Sequence, residues 1–311
     1  MFPDRTVVLS LDAELIWGFH DHAEIPTERV EHARESWVYL LELFDEYGLP
    51  ATWAVVGHLF LDSCDGVHSD SPVGEDWYSR DPGGELAPDS VWFGRDLIDA
   101  IRDSKADHDI GSHSFSHVEF GSKRVSEEVA RAELERSVEV AEEYGIDLES
   151  FVFPRNKVGH RGLLAEYGFS CYRGRSPDRW YDTAPIRPLG KLATYALGAS
   201  SPPIVDPRVD DYGLVNVPAS MYLFTFEGFV RKALETVAGD PVARQVELGL
   251  ERLKEEDRGV FHLWLHPNNV TTEQDRRRLE RIVSMIAEYR DRYDIDVMPM
   301  SRVANRVRTN E

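Results

Sequence analysis

Two histidines four residues apart follow an apolar run in Asp109-Ile110-Gly111-Ser112-His113-Ser114-Phe115-Ser116-His117. With His113 closing a strand and His117 one turn further on, both imidazoles face one point. Neutral imidazole is the commonest metal ligand, and Zn²⁺, Fe²⁺ or Co²⁺ accepts such a pair. A second apolar run, Thr6-Val7-Val8-Leu9-Ser10-Leu11, ends in Asp12-Ala13-Glu14. Residues i and i+2 of an extended chain share a face, so Asp12 and Glu14 converge. One carboxylate can bind a metal while the other takes a proton from water. The competing reading is a strand that simply ends in solvated acids. A third run, Ser150-Phe151-Val152-Phe153-Pro154-Arg155-Asn156, ends in an arginine whose forked donors can hold a catalytic aspartate in one orientation. In the fourth, Val260-Phe261-His262-Leu263-Trp264-Leu265-His266-Pro267, alternation places His262, Trp264 and His266 on one face. His266, at the tip, is the candidate general acid. His262 reads as a buried hydrogen-bonded partner.

Four apolar runs, each with a polar tip, describe a barrel or open α/β sheet with its site above the C-terminal strand ends. The intervening sequence fits. Helical spacing of apolar residues is expected over 27–47, 94–104, 126–144, 160–167, 226–237, 242–255 and 272–292, with Gly48, Gly145 and Gly168 as stops. Strands are expected over 51–56, 169–173, 215–220 and 295–300, besides the four named runs. This alternation predicts an α/β fold of seven or eight βα units in a single domain over 1–311. Two long irregular segments, at about 62–90 and 176–212, are rich in Gly, Pro, Asp and Ser or in Pro, and are read as substrate-shaping loops.

Together these segments resemble the polysaccharide deacetylases of the NodB-homology type, carbohydrate esterase family 4. Ser10-Leu11-Asp12-Ala13-Glu14 matches the family's acidic first motif, and His113-Ser114-Phe115-Ser116-His117 matches its H-[ST]-x-x-H motif. Phe153-Pro154-Arg155-Asn156 is similar to the Arg-Pro motif, and Trp264-Leu265-His266 to the late Leu-x-His, all in family order. The chain departs from the pattern in several places. Ala13 separates the two acids, as in a divergent D-x-[DE] branch whose second acid is the ligand. Arg155 follows its proline, and Trp264 stands where leucine usually lines the acetyl pocket. Asp178-Arg179-Trp180 is the candidate for the remaining motif. The resemblance implies a distorted (β/α)7–8 barrel and a divalent metal, Zn²⁺ first, with Co²⁺, Fe²⁺ or Ni²⁺ as alternatives. It implies Glu14, His113 and His117 as metal ligands, Asp12 as base, Arg155 as its clamp and His266 as acid. The implied reaction is removal of an N-acetyl group from a sugar or glycan precursor. Hydrolysis of a small cyclic or linear amide, and a catalytically silent sugar-binding protein, remain as alternatives. Trp17, Trp77, Trp180 and Trp264 are candidates for stacking on sugar faces.

The 311 residues are enough for one barrel-sized core. No 18-residue apolar run is present, so no membrane span is expected. The start lacks the basic and apolar regions of a secretory signal, so a cytoplasmic protein is expected. Net charge is −21, from 56 acids and 35 bases, of which only six are Lys. That balance argues against nucleic acid as partner and suggests adaptation to high salt. Cys64 and Cys171 show no paired spacing. No disulfide is expected, and two cysteines are read as unable to make a structural zinc site. The sequence does not bear on oligomeric state.

Overall fold

The β-branched, apolar stretch Arg5–Ala13 forms strand β1, buried from Thr6 to its end. In a computed structural model of the chain, which describes residues 2–74, 76–182, 185, 190–191, 193–195, 198–225 and 239–310, β1 lies inside a mostly parallel sheet. A strand covered on both faces needs no polar side, and this explains its unbroken apolar run. In chain order the other strands are β2 (Thr52–Val55), the small hairpin β3 (Ser63–Cys64) and β4 (Gly84–Glu85), β5 (Asp109–Ser112), β6 (Ser150–Val152) and β7 (Cys171–Arg173). They are followed by β8 (Arg208–Val209), β9 (Val215–Asn216), β10 (Met221–Tyr222), β11 (Gly259–Leu265) and β12 (Asp296–Val297). The sheet runs β10-β11-β1-β2-β5-β6-β7-β9-β8, with β12 also paired to β1. Among the described residues, only the β8–β9 pair in it is antiparallel. The result is an α/β half-barrel, a curled parallel sheet wrapped by helices.

Alternation along β1 divides the core. Val7, Leu9 and Leu11 face the larger cluster, which the helices cover. Val8 faces a smaller cluster with Ala54, Val152, Cys171, Val215 and Val260 from neighbouring strands. Ser10 and Asp12 continue the face of Val8 toward the C-terminal rim. Register then fixes the rim. Leu11 pairs with Trp53 on one side and Leu265 on the other, and Val55 pairs with Ser112. Asp12, which follows Leu11, is therefore level with Ala54 and Gly111, His266 follows the partner of Leu11, and His113 emerges two residues further along the rim, beside Glu14.

The outer layer includes α1 (Thr27–Tyr47), α2 (Arg95–Arg102), α3 (Glu127–Glu143) and α4 (Arg161–Glu166), then α5 (Pro241–Glu255), α6 (Glu273–Arg292) and α7 (Met300–Thr309). On α1, Val30, Ala33, Trp37, Leu40, Leu41 and Phe44 are buried, with Trp37 stacked on Trp53 at 5.3 Å. Gly48 ends α1 at φ 61°, a conformation that glycine adopts without a Cβ penalty. Ser126 caps α3, and Thr272 and Asp275 form a capping box on α6. The chain end departs from expectation. The strand anticipated to run to Met300 stops at Val297, and Met300, Val303, Ala304 and Val307 of α7 pack into the smaller cluster. The helix expected at 226–237 lies outside the described residues.

Candidate active site

Asp12 sits at the end of β1, 2 % exposed, with its carboxylate held by Arg173 from the end of β7. Arg173 donates through Nη1 to Oδ1 at 2.6 Å and through Nη2 to Oδ2 at 2.8 Å. The guanidinium is itself fixed. It donates to Ser10 Oγ and Asn156 Oδ1, both at 3.2 Å, and lies 4.4 Å from the centre of the Trp264 ring. Behind it, Ser10 Oγ lies 2.8 Å from His262 Nε2. The Nδ1 of His262 faces the carbonyl oxygens of Val217 and Pro218, which can only accept, so Nδ1 carries the hydrogen and Nε2 accepts from Ser10. Burial depresses His262 to about 3, keeping it neutral. Burial pushes the Asp12 carboxyl up, but Arg173, with His113 and His266, more than offsets this and holds it below its ordinary value.

His113 follows β5 directly, and its Nδ1 donates to the carbonyl of Val152 at 2.8 Å. That bond fixes the tautomer and leaves the Nε2 lone pair bare, an arrangement common among metal-bound histidines. This Nε2 is buried without a hydrogen-bond partner, 3.5 Å from Glu14 Oε2 and 3.8 Å from Asp12 Oδ2. His117 Nε2 lies 3.1 Å from the same Glu14 oxygen. His117 does not reach it by a helical turn, as expected from sequence. Ser114 and His117 both take positive φ, 60° and 66°, and fold the loop back. Buried Glu133 of α3 clamps that loop by accepting from the Ser116 amide at 2.8 Å and its hydroxyl at 2.7 Å. Burial favours a neutral His117, outweighing the pull of Glu14. Glu14, His113 and His117 each bring a ligand atom within 4.8 Å of the others. This donor set of two imidazoles and a carboxylate, with a bare buried nitrogen, fits a divalent transition metal. Gly18 leaves room for Glu14, since a Cβ there would lie 2.1 Å from Oε1.

His266 stands across from this group at the end of β11. Its Nε2 lies 3.6 Å from Asp12 Oδ2 and 3.8 Å from Glu14 Oε1. Its Nδ1 is 3.1 Å from Asn269 Oδ1 and 3.2 Å from the Tyr222 hydroxyl, which itself donates to Asn269 at 2.6 Å. The acceptor oxygen of Asn269 places a hydrogen on Nδ1 and aims Nε2 into the site.

The structure thus brings Asp12, Glu14, His113, His117 and His266 together. Arg155 is elsewhere. It is exposed and donates to Asp21 at 2.9 Å and Glu119 at 2.7 Å. The cause is local: β6 ends at Val152, and the turn after Pro154 puts Arg155 at φ 51° and Asn156 at φ 54°. That turn throws the arginine outward and sends Asn156 to Arg173 instead. Arg173, in the strand expected at 169–173, holds Asp12 in its place. A charge at the end of an otherwise apolar strand was the signal in the sequence. Trp17 is fully buried and is core. Trp264 and Tyr222 stack at 4.3 Å and border a cleft of about 490 Å³ that also includes Pro177, Arg179, Tyr181 and Tyr195 of the second long segment. Trp180 is 56 % exposed beside it, and Trp77 donates to the carbonyl of Ser116.

A family model for polysaccharide deacetylase matches residues 4–167, more than half of the chain. No curated protein is matched by the sequence. Among solved structures, one from Mycobacterium smegmatis bearing the name of a polysaccharide deacetylase superposes with a TM-score of 0.62 at 18 % identity, over 100 % of this chain and 93 % of that one. Another of the same name, from Pseudomonas aeruginosa PAO1, gives 0.60 at 13 % identity over 99 % and 93 %. PuuE allantoinase gives 0.60 at 13 % identity over 99 % and 92 %. At these identities the likeness is one of fold.

Proposed function

The chain belongs to the polysaccharide deacetylase family, and from that premise we propose that it is a metal-dependent hydrolase that removes an N-acetyl group from a sugar or glycan precursor. The observation that carries this reading is the convergence of Glu14, His113 and His117 beside an Asp12 clamped by Arg173, with His266 opposite. Glu14, His113 and His117 are assigned as ligands, which leaves positions open as a catalytic site requires. Zn²⁺ suits these donors, and Co²⁺, Fe²⁺ or Ni²⁺ would accept them too. Such a cation supplies polarisation of the acetyl carbonyl and a more acidic water. Asp12 takes the proton from the attacking water, and Arg173 keeps its carboxylate ionised and pointed at the site. His266 delivers a proton from Nε2 to the departing amine, which leaves poorly as an anion. The cleft beside Trp264 and Tyr222 receives the sugar.

We take residues 1–311 as one catalytic domain, with the described parts of 62–90 and 176–212 shaping the substrate site; the rest of these two segments lies outside the described residues. Among the described residues no helix is long and apolar enough to cross a membrane. We place the protein in the cytoplasm. The charge of −21 suits concentrated salt.

Free acetate released from N-acetylated sugars, measured together with metal content in molar KCl, tests the proposal. Acetate release that follows metal content supports it. Full metal without acetate release, but with ring opening of small cyclic amides, would favour the amidohydrolase reading, in keeping with the allantoinase among the structural neighbours.

A further inference from the structure

Among its described residues, the 62–90 segment contains little regular structure, only the β3–β4 hairpin and turns. At its base is a polar cluster that the active site does not use. His58 Nε2, His68 Nε2 and Cys64 Sγ all point at one oxygen, Oδ2 of Asp81, at 3.3, 2.8 and 3.3 Å. The side chains of His58 and Asp81 are fully buried and that of His68 is 11 % exposed. The other Asp81 oxygen already accepts from the Gly83 amide at 3.0 Å.

Hydrogens on Cys64 Sγ and His68 Nε2 can satisfy Asp81 Oδ2, but they do not account for His58. His58 Nδ1 lies 3.2 Å from the carbonyl oxygen of Trp92, which can only accept, so Nδ1 carries the ring hydrogen. A neutral His58 then turns a bare Nε2 lone pair toward a carboxylate oxygen, and this Nε2 is buried with no hydrogen-bond partner. The same device, a ring nitrogen tied to a backbone carbonyl, leaves the Nε2 of His113 bare in the active site. A cation placed among the four groups uses every bare donor atom at once. The spacing agrees. Zn–N distances near 2.0 Å and Zn–S near 2.3 Å give tetrahedral edges of roughly 3.3–3.6 Å. All four ligand atoms here lie within 4.8 Å of one another.

We propose that His58, Cys64, His68 and Asp81 form a second metal centre, a structural zinc site that pins the 62–90 segment to the half-barrel. Two imidazoles, a thiolate and a carboxylate select zinc-like metals over Ca²⁺ or Mg²⁺, which prefer all-oxygen shells. Four protein ligands fill a tetrahedral shell, the mark of a structural site. One cysteine suffices because the histidines and Asp81 supply the other donors, which cysteine counting overlooks. The ligands come from the turn after β2, from β3 and from both sides of the segment. His58 also packs on Trp17, with ring centres 4.4 Å apart, in the turn that follows Glu14. The centre therefore braces the wall that carries Glu14. This inference does not depend on the deacetylase reading.

The test is metal analysis and Co²⁺ spectroscopy on the full chain, prepared without chelator. A His113→Ala/His117→Ala variant should retain one equivalent of zinc, and its Co²⁺ form should show thiolate-to-cobalt charge-transfer absorption. Cys64→Ser should remove that absorption, and Cys64→Ser/His68→Ala should remove the equivalent. Chelation of the His113→Ala/His117→Ala protein should open 62–90 to limited proteolysis. The absorption is also read in the unaltered protein, where folding of a variant is not at issue. Metal-free His113→Ala/His117→Ala protein, or unaltered protein loaded with Co²⁺ to saturation and lacking thiolate absorption, would overturn the proposal while leaving the first centre untouched.

Discussion

Arg173 grips Asp12 by both carboxylate oxygens, at 2.6 and 2.8 Å, with both side chains buried. A bidentate, buried pair of this kind orients the carboxylate and keeps it ionised against the pull of burial. It also fixes which arginine matters. Removing one partner of a buried pair leaves an uncompensated charge, which costs about 3–5 kcal/mol. Arg173→Met should therefore lower stability by that order and turnover on the order of 10²-fold, since a base displaced by an ångström loses that much. The pH profile should shift as well. With Arg173 gone, burial raises the Asp12 carboxyl, so the acid limb of the rate should move to higher pH. Arg155→Met, which breaks only an exposed contact with Asp21 and Glu119, should change turnover little. The opposite ranking of the two variants would return the clamp to Arg155.

The two acids should differ in what they lose. Asp12→Asn keeps the shape and the ligands but cannot take the proton, so metal should stay and turnover should fall. Glu14→Ala should weaken metal binding, as should His113→Ala or His117→Ala. Gly18→Ala offers a subtler check, because its new methyl group would sit where Glu14 Oε1 now lies. Weakened metal binding in Gly18→Ala, with all three ligands present, would tie affinity to the seat of Glu14. Metal loss from Asp12→Asn with full retention in Glu14→Ala would exchange the two roles.

Much of this arrangement is legible in the sequence because a buried strand advertises itself. Apolar runs that stop abruptly at Asp12 and His266 mark the rim, the spacing of His113 and His117 marks it where the strand Asp109–Ser112 is not apolar, and parallel register does the rest. Arg173 is harder to see. It belongs to no recognisable motif, and its partner is 161 residues away. Pro154 drew attention to Arg155, but two positive-φ residues turn that arginine out, a backbone choice that side-chain pattern does not encode. The C-terminal helix is not anticipated: Met300, Val303, Ala304 and Val307 do lie at helical spacing, but the short apolar stretch up to Met300 reads as a strand. The cluster of His58, Cys64, His68 and Asp81 depends on the folding of an irregular loop, where sequence periodicity is silent.

The surface charge leads to a separate expectation. A net charge of −21 repels itself, and the Debye length falls from about 10 Å at 0.1 M to about 3 Å at 1 M salt. The melting temperature should climb between ~0.1 M and molar KCl as this repulsion is screened. Scanning calorimetry across that range decides the matter, and a flat or falling curve would mean that the acidic surface is not an adaptation to salt.

His266 carries the most discriminating expectation. Its Nε2 faces Asp12 and Glu14 across the site, and Asn269 holds the other nitrogen. A general acid must be protonated and a general base deprotonated, so the rate should rise and then fall with pH. His266→Ala should abolish the high-pH limb and reduce amide hydrolysis by ~10²-fold or more. The loss should depend on the leaving group. An amine departs only with a proton, whereas the leaving group of an activated acetate ester departs without one. The variant should therefore retain much of any esterase activity, with metal still bound. Equal losses on amide and ester would make His266 a ligand or a structural residue. Little loss on either would leave it a histidine packed at a strand end, and the proton for the amine would have to come from another group.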